Sequence, residues 1–396
     1  MREEQMEQGS LFAPEASGGD ARPMRRPRRY SWEALACSIF IHYLTCRRAA
    51  LAATRIYRCY HWVTTIGRLD PAALRAAMLV PAHEGQPLLP LQVALPGVAG
   101  EPVVPVRAAR RGAPAAVTIR PYPQALADCR DALLAVVGAD PALFSLALPA
   151  PDAPRFADLA QIAGRAPGVE ILLAIDGARL IRLARSGAMP GARAPDAATS
   201  RPAVAHLLTD LTRSDAWKEL WRADETPLLA TLHLIAAQLR RLYPWVFVVD
   251  LPAPQQPEPW APSGHYLIYA TRAPDAVLLM NDFLADEECR CREAVWTTIL
   301  PGDWFRARAA VTRAHLCAEA RTALLELLSQ RHAPFWPELR LRLVARAFGR
   351  LNAASYDALL RALLASGTVR CHWAPRRGVH PADELPGPRD RLERTC

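Results

Sequence analysis

Seven residues, His265 to Thr271, set the pattern for the whole chain. Tyr266, Ile268 and Ala270 fall on one face and Leu267, Tyr269 and Thr271 on the other, with an apolar majority on both. Such a run predicts a strand covered on two sides. A polar connection comes next, then Pro274 at a first helical turn and a buried stripe of Val277, Leu278, Met280 and Phe283. The same logic predicts strands at Arg55–Thr65, Ala116–Arg120, Leu143–Leu148, Val169–Ile175 and Trp245–Leu251. Helices are predicted between them: Ser31–Arg47, Asp70–Met78, Pro87–Leu95, Tyr122–Val137, Phe156–Gly164, Gly177–Arg185 and Pro227–Tyr243. His206–Leu211 and Trp217–Arg222 read as short helices of an insertion. Strands alternating with helices at this spacing predict an α/β layered sheet.

Beyond about residue 295 the pattern turns helical, at Ala309–Arg331, Pro337–Phe348 and Ser355–Leu364. Gly367 suits a helix C-terminus, and Thr368–Trp373 alternates like an edge strand. Helix, helix, glycine stop and strand is the order of a small winged-helix module. The chain thus divides into four regions. Residues 1–29 are a polar, basic arm, and 30–295 form the α/β domain. Residues 296–375 form a helical and winged-helix domain, and 376–396 a disordered tail.

Composition changes this picture little. The chain has 396 residues, half of them apolar, with 36 prolines and 20 glycines. Its formal charge of +9 is carried almost wholly by arginine, since Lys218 is the one lysine. That charge fits an anionic partner such as nucleic acid, and it equally keeps tails soluble. Nine cysteines are too sparse and odd in number for a disulfide scaffold, and Cys289-Arg290-Cys291 lacks further zinc ligands at motif spacing. No run is long and apolar enough to suggest a signal peptide or a membrane span, so a cytoplasmic, membrane-free protein is expected.

The usual chemical motifs are missing: the sequence has no nucleophile elbow, P-loop or H-E-x-x-H. His206 and His233 fall on apolar helical faces and read as core histidines. Asp282, Asp286, Glu287 and Glu288 form an acidic patch that reads as a solvated helix end.

Several segments resemble the three-Cys-motif partner protein family, bacterial proteins related to Rossmann-like methyltransferases. Tyr266–Arg272 and Met280-Asn281-Asp282 are similar to its late strand and following helix. Glu170–Leu173 with Arg182 is similar to its mid-domain strand. Gly85-Gln86-Pro87-Leu88 resembles a segment behind its first strand. Phe348–Asn352 and Gly367-Thr368-Val369 resemble its winged-helix part. The resemblance spans about residues 30–375. It implies a Rossmann-like, methyltransferase-type sheet with a C-terminal helical and winged-helix region.

The departures bear on activity. The family's first strand ends in an acidic, glycine-rich turn that lets backbone approach a cofactor. Here Tyr60–Arg68 stands there, with His61 at about the aspartate's place and Gly67 the surviving glycine. β-Branched Val63, Thr64, Thr65 and Ile66 resist positive φ. The turn after the central strand, Leu148–Asp152, lacks the strand-end carboxylate. The acid expected after the second strand, placed near Ile119, is replaced by Arg120-Pro121-Tyr122.

The expectation is therefore a degenerate methyltransferase-like protein without cofactor or catalytic residues. It would act as a nucleic-acid-associated or complex-forming subunit, with DNA or RNA, or another protein encoded nearby, as partner. Arg340, Arg342, Arg346, Arg350, Arg361 and Arg370 are the candidate nucleic-acid contacts. One alternative is an active S-adenosylmethionine-dependent methyltransferase with a rebuilt pocket at Gly67, Glu84, Gly85 and Asp152. Another is a pure protein-interaction subunit.

Overall fold

The computed structural model describes residues 32–54, 56–66, 87–99, 117–150, 153–188, 201–223, 227–251, 264–296, 302–329, 335–374 and 384–395. The basic arm of residues 1–29 lies outside them. So does the helix predicted at Asp70–Met78.

Seven strands form one sheet: β1 Tyr60–Thr64, β2 Leu91–Pro96, β3 Val117–Tyr122, β4 Ala142–Leu148, β5 Val169–Asp176, β6 Trp245–Leu251 and β7 His265–Thr271. Their order is β3-β2-β1-β4-β5-β7-β6. The first five run parallel, and β7 is antiparallel to both β5 and β6. The 3-2-1-4-5 order is that of a doubly wound Rossmann sheet, with its switch point between β1 and β4. One reversed strand, β7, enters between β5 and β6.

Helices cover both faces. Helix α1 (Trp32–Ala52) lies on one. Helices α2 (Leu126–Val137), α3 (Phe156–Arg165), α4 (Gly177–Ala188), α5 (Arg201–Thr212), α6 (Ala216–Ala223) and α7 (Pro227–Leu239) belong to the other. Four more come after the last strand of the sheet: α8 (Pro274–Trp296), α9 (Gly302–Leu328), α10 (Trp336–Arg346) and α11 (Ala353–Ala365). They share the α1 face, and the sheet side chains Phe247, Leu267 and Tyr269 join Leu324, Leu343 and Tyr356 in one buried cluster. The ring of Phe348, just after α10, stacks on Phe247 at 3.9 Å between centroids. The C-terminal helices therefore complete the core of the sheet.

The expected two-sided strand is β7: Leu267 and Tyr269 face the α1 cluster, while Tyr266, Ile268 and Ala270 face the opposite one. Three readings need correction. Pro87–Leu95 is not a helix, because Leu91, Val93 and Leu95 are buried and Gln92 and Ala94 half-buried, a period of two that makes it β2. The strand near Ile119 is consequently the third of the sheet. The tail is not disordered throughout, since β9 (Arg391–Arg394) pairs antiparallel with β8 (Val369–His372) and buries Leu392.

Inside the α1 face lies a buried ionic cluster. Arg47 Nε donates to Glu170 Oε1 at 3.0 Å, and Tyr269 Oη donates to Glu170 Oε2 at 2.6 Å. Tyr43 donates to the same oxygen, and Arg47 also reaches Asp275 at 2.5 Å. Four elements (α1, β5, β7 and α8) are tied together by one carboxylate and one guanidinium. In the sequence it shows as the Arg47-Arg48 pair in a largely apolar helix and as Glu170, an acid inside an apolar strand.

Candidate functional site

In a doubly wound sheet ligands bind beyond the carboxyl ends of the strands at the switch point. Here β1 ends at Thr64, so His61 is its second residue, near the amino end, and does not stand at the family's aspartate position. The two residues after Thr64 stay zipped to β4 and to the strand end. Thr65 N–H donates to Ser145 O at 3.0 Å, and Ala147 N–H donates back to Thr65 Oγ1 at 3.0 Å. Ile66 N–H is taken by Thr64 Oγ1, and the Ile66 side chain is buried. Arg213 is the one positive-φ residue other than glycine among the described residues, so this stretch keeps the negative φ that β-branched side chains prefer. Gly67, Glu84, Gly85 and Asp152 lie outside the described residues.

Among the described residues, the neighbouring strand ends offer little to a cofactor at β2 and a tight chain crossing after β5. At the true second strand, β2, the end is Leu95-Pro96-Gly97 with no carboxylate, and Arg120 is an exposed residue within β3. At the end of β5, Gly177 N–H donates to Gly264 O at 2.6 Å. A Cβ on Gly177 would lie 2.3 Å from that oxygen, so only glycine lets the two chain segments approach this closely.

Open space lies instead against the C-terminal helices. A groove of about 690 Å³ runs between β6, α8, α9 and the turn from α10 to α11. Its walls include Val249, Phe305 and Phe348, with Arg306, Arg313 and Arg350 as cations and Asp250 and Asp286 as anions. Arg313 donates to Ser355 Oγ at 2.8 Å, and Arg306 reaches Asp303.

The floor of this groove explains the Asn281-Asp282 pair. Asn281, fully buried, donates to Leu351 O at 2.8 Å and accepts from Gly349 N–H at 2.9 Å. Asp282 accepts from Ala353 N–H at 2.7 Å, and Asp286 accepts from Asn352 Nδ2 at 2.9 Å. Burial, partly offset by these donors, raises the Asp282 carboxyl above the ordinary carboxylate value. These acids hold the start of α11, where negative charge also suits the helix dipole. The side chains of Glu287 and Glu288 lie outside the described residues.

The six candidate arginines are divided. Arg340 pairs with Asp357 at 3.3 Å, Arg342 with Glu338 at 2.5 Å and Arg346 with Glu326 at 3.2 Å. Arg350 lines the groove, and Arg361 and Arg370 are exposed on α11 and β8. Sequence reasoning missed Arg306 and Arg313, which α9 brings to the same groove. His206 and His233 are exposed, not core, because each lies on the solvent side of its helix. His315 is likewise exposed and pairs with Glu319 at 3.1 Å.

Among the described residues no helix is long and apolar enough to cross a membrane. No family model, curated protein or solved structure matches this chain.

Proposed function

We propose that this chain is a non-catalytic relative of Rossmann-like methyltransferases that associates with nucleic acid through its arginine-rich C-terminal region. One observation carries the reading: the β1–β4 crossing is stitched by Thr65, while arginines line an open groove elsewhere. The strand order, with a single reversed strand between β5 and β6, supports the methyltransferase-type ancestry that the sequence resemblance implies. The α10–turn–α11 pair followed by the β8–β9 ribbon supports a winged-helix reading.

On α11 the exposed positions include Ala354, Ala358, Arg361 and Ala362, which offer little to base edges. The contacts this surface favours are to phosphate, which position without reading sequence. The exposed pairs Arg342–Glu338 and Arg346–Glu326 do not preclude that role. Such pairs are worth only about 0–1 kcal/mol and exchange readily.

Fluorescence anisotropy with duplex and single-stranded probes across a salt series tests the reading. Binding should weaken linearly with log salt concentration. Arg306→Ala, Arg313→Ala and Arg350→Ala combined should flatten the duplex slope, by roughly 0.9 for each phosphate no longer neutralised. Binding that ignores salt, or a slope unchanged in the triple variant, refutes it. A second reading, docking of a protein partner, is favoured by β6, the edge strand whose half-buried Val248–Asp250 line the groove. Absence of any salt-dependent nucleic-acid binding would favour that reading.

A further inference from the structure

At the end of the sheet opposite the switch point, three potential metal donors meet. Cys59 immediately precedes β1, His61 is on β1, and Asp140 lies in the turn before β4. Cys59 Sγ is 3.1 Å from His61 Nε2 and 3.4 Å from Asp140 Oδ2, and the latter two atoms are 3.9 Å apart. Tetrahedral zinc, with bonds of about 2.0–2.3 Å, separates such donors by roughly 3.3–3.6 Å. The triangle matches after shifts of at most about half an ångström along any edge.

The surroundings fit a ligand set. The other carboxylate oxygen of Asp140 accepts Arg58 N–H at 3.1 Å, which leaves Oδ2 aimed at the thiol and the imidazole. Outer contacts of this kind orient metal ligands. A Cys-His-Asp nucleophile is a poorer description. Asp140 approaches the same ring nitrogen as the thiol, whereas an orienting acid engages the opposite nitrogen.

We propose that Cys59, His61 and Asp140 bind a divalent cation of the zinc class, with three protein ligands and a fourth position for water. Binding forms the metal–thiolate bond and releases the thiol proton to solvent. With neutral His61, the cation is balanced by one thiolate and one carboxylate. Arg58 and Arg120 are the nearby cations that oppose it. Asp140, 20% exposed, gives access from solvent. The site is independent of the groove and of any nucleic-acid role.

The test is a cobalt(II) titration of the full-length, reduced, metal-stripped protein, read by absorbance. The expected result is a thiolate-to-cobalt charge-transfer band that saturates at one equivalent and bleaches when zinc is added. Cys59→Ser should abolish the band, and Asp140→Asn should weaken binding about tenfold or more. Cys289→Ser, which removes an exposed thiol on α8, should leave it intact. No band at one equivalent, or a band that survives Cys59→Ser, overturns the proposal. Should Cys59→Ser fail to fold, Asp140→Asn decides, and unchanged cobalt affinity there overturns it as well.

Discussion

Replacing Glu170 by glutamine removes one charge from the centre of the molecule without changing its size. Its carboxylate is 1% exposed and Arg47 is 3% exposed, with 3.0 Å between them. Removing one partner of a buried pair typically costs about 3–5 kcal/mol, mostly for the stranded charge. Asp275 still contacts Arg47, but it is 65% exposed and compensates only in part. Glutamine must also turn its amide N–H groups either toward Arg47, a donor, or toward the hydroxyls of Tyr43 and Tyr269. We therefore expect Glu170→Gln to cost about 3 kcal/mol, read as a lower urea midpoint at unchanged slope.

Arg47→Met should cost less, because Glu170 retains two tyrosine donors. The Arg47→Met/Glu170→Met double variant should be far more stable than the sum of the singles. Its tyrosine hydroxyls, 3.1 Å apart, can still bond each other. A loss below about 1 kcal/mol for Glu170→Gln, with additive single effects, would refute the clamp.

The geometry carries two further expectations. Gly177→Ala should destabilise by about 1–3 kcal/mol, since its Cβ meets a backbone oxygen at 2.3 Å and Leu228 at 2.5 Å; a neutral effect in thermal unfolding would contradict that packing. Burial raises the phenols of Tyr43, Tyr60 and Tyr269 well above the ordinary tyrosine value, with Glu170 the next cause. The folded chain then holds more protons than the unfolded one above about pH 10, so stability falls as pH rises through that range. Phenolate absorbance from these three should appear only together with loss of the circular-dichroism signal, and early ionisation without unfolding would show that they are accessible.

How much of the fold is legible depends on local side-chain pattern. Strands β4, β5 and β7 are near-continuous apolar runs, and their buried faces can be read directly. Strand β2 cannot, because Gln92 and Ala94 sit among leucines and suit a helix as well as a strand. Reading it as a helix displaces the strand count, and with it the place where a ribose-binding acid is sought. The Asn281-Asp282 pair stands out in the sequence, but its role depends on a turn about seventy residues later in the chain. Arg306 and Arg313 belong to a helix that only the packing of α9 turns toward Arg350. The Cys59, His61 and Asp140 donors are separated by up to 81 positions and converge because β1 and β4 are sheet neighbours. No spacing motif carries such a meeting.

The proposed loss of cofactor binding at the switch point is tested most directly by calorimetry with S-adenosylmethionine on the full-length protein. No saturable heat is expected at millimolar ligand, with or without nucleic acid present. A one-to-one isotherm in the micromolar range, lost on substitution of Gly67, Gly85 or Asp152, would contradict the non-catalytic reading and restore that of an active methyltransferase.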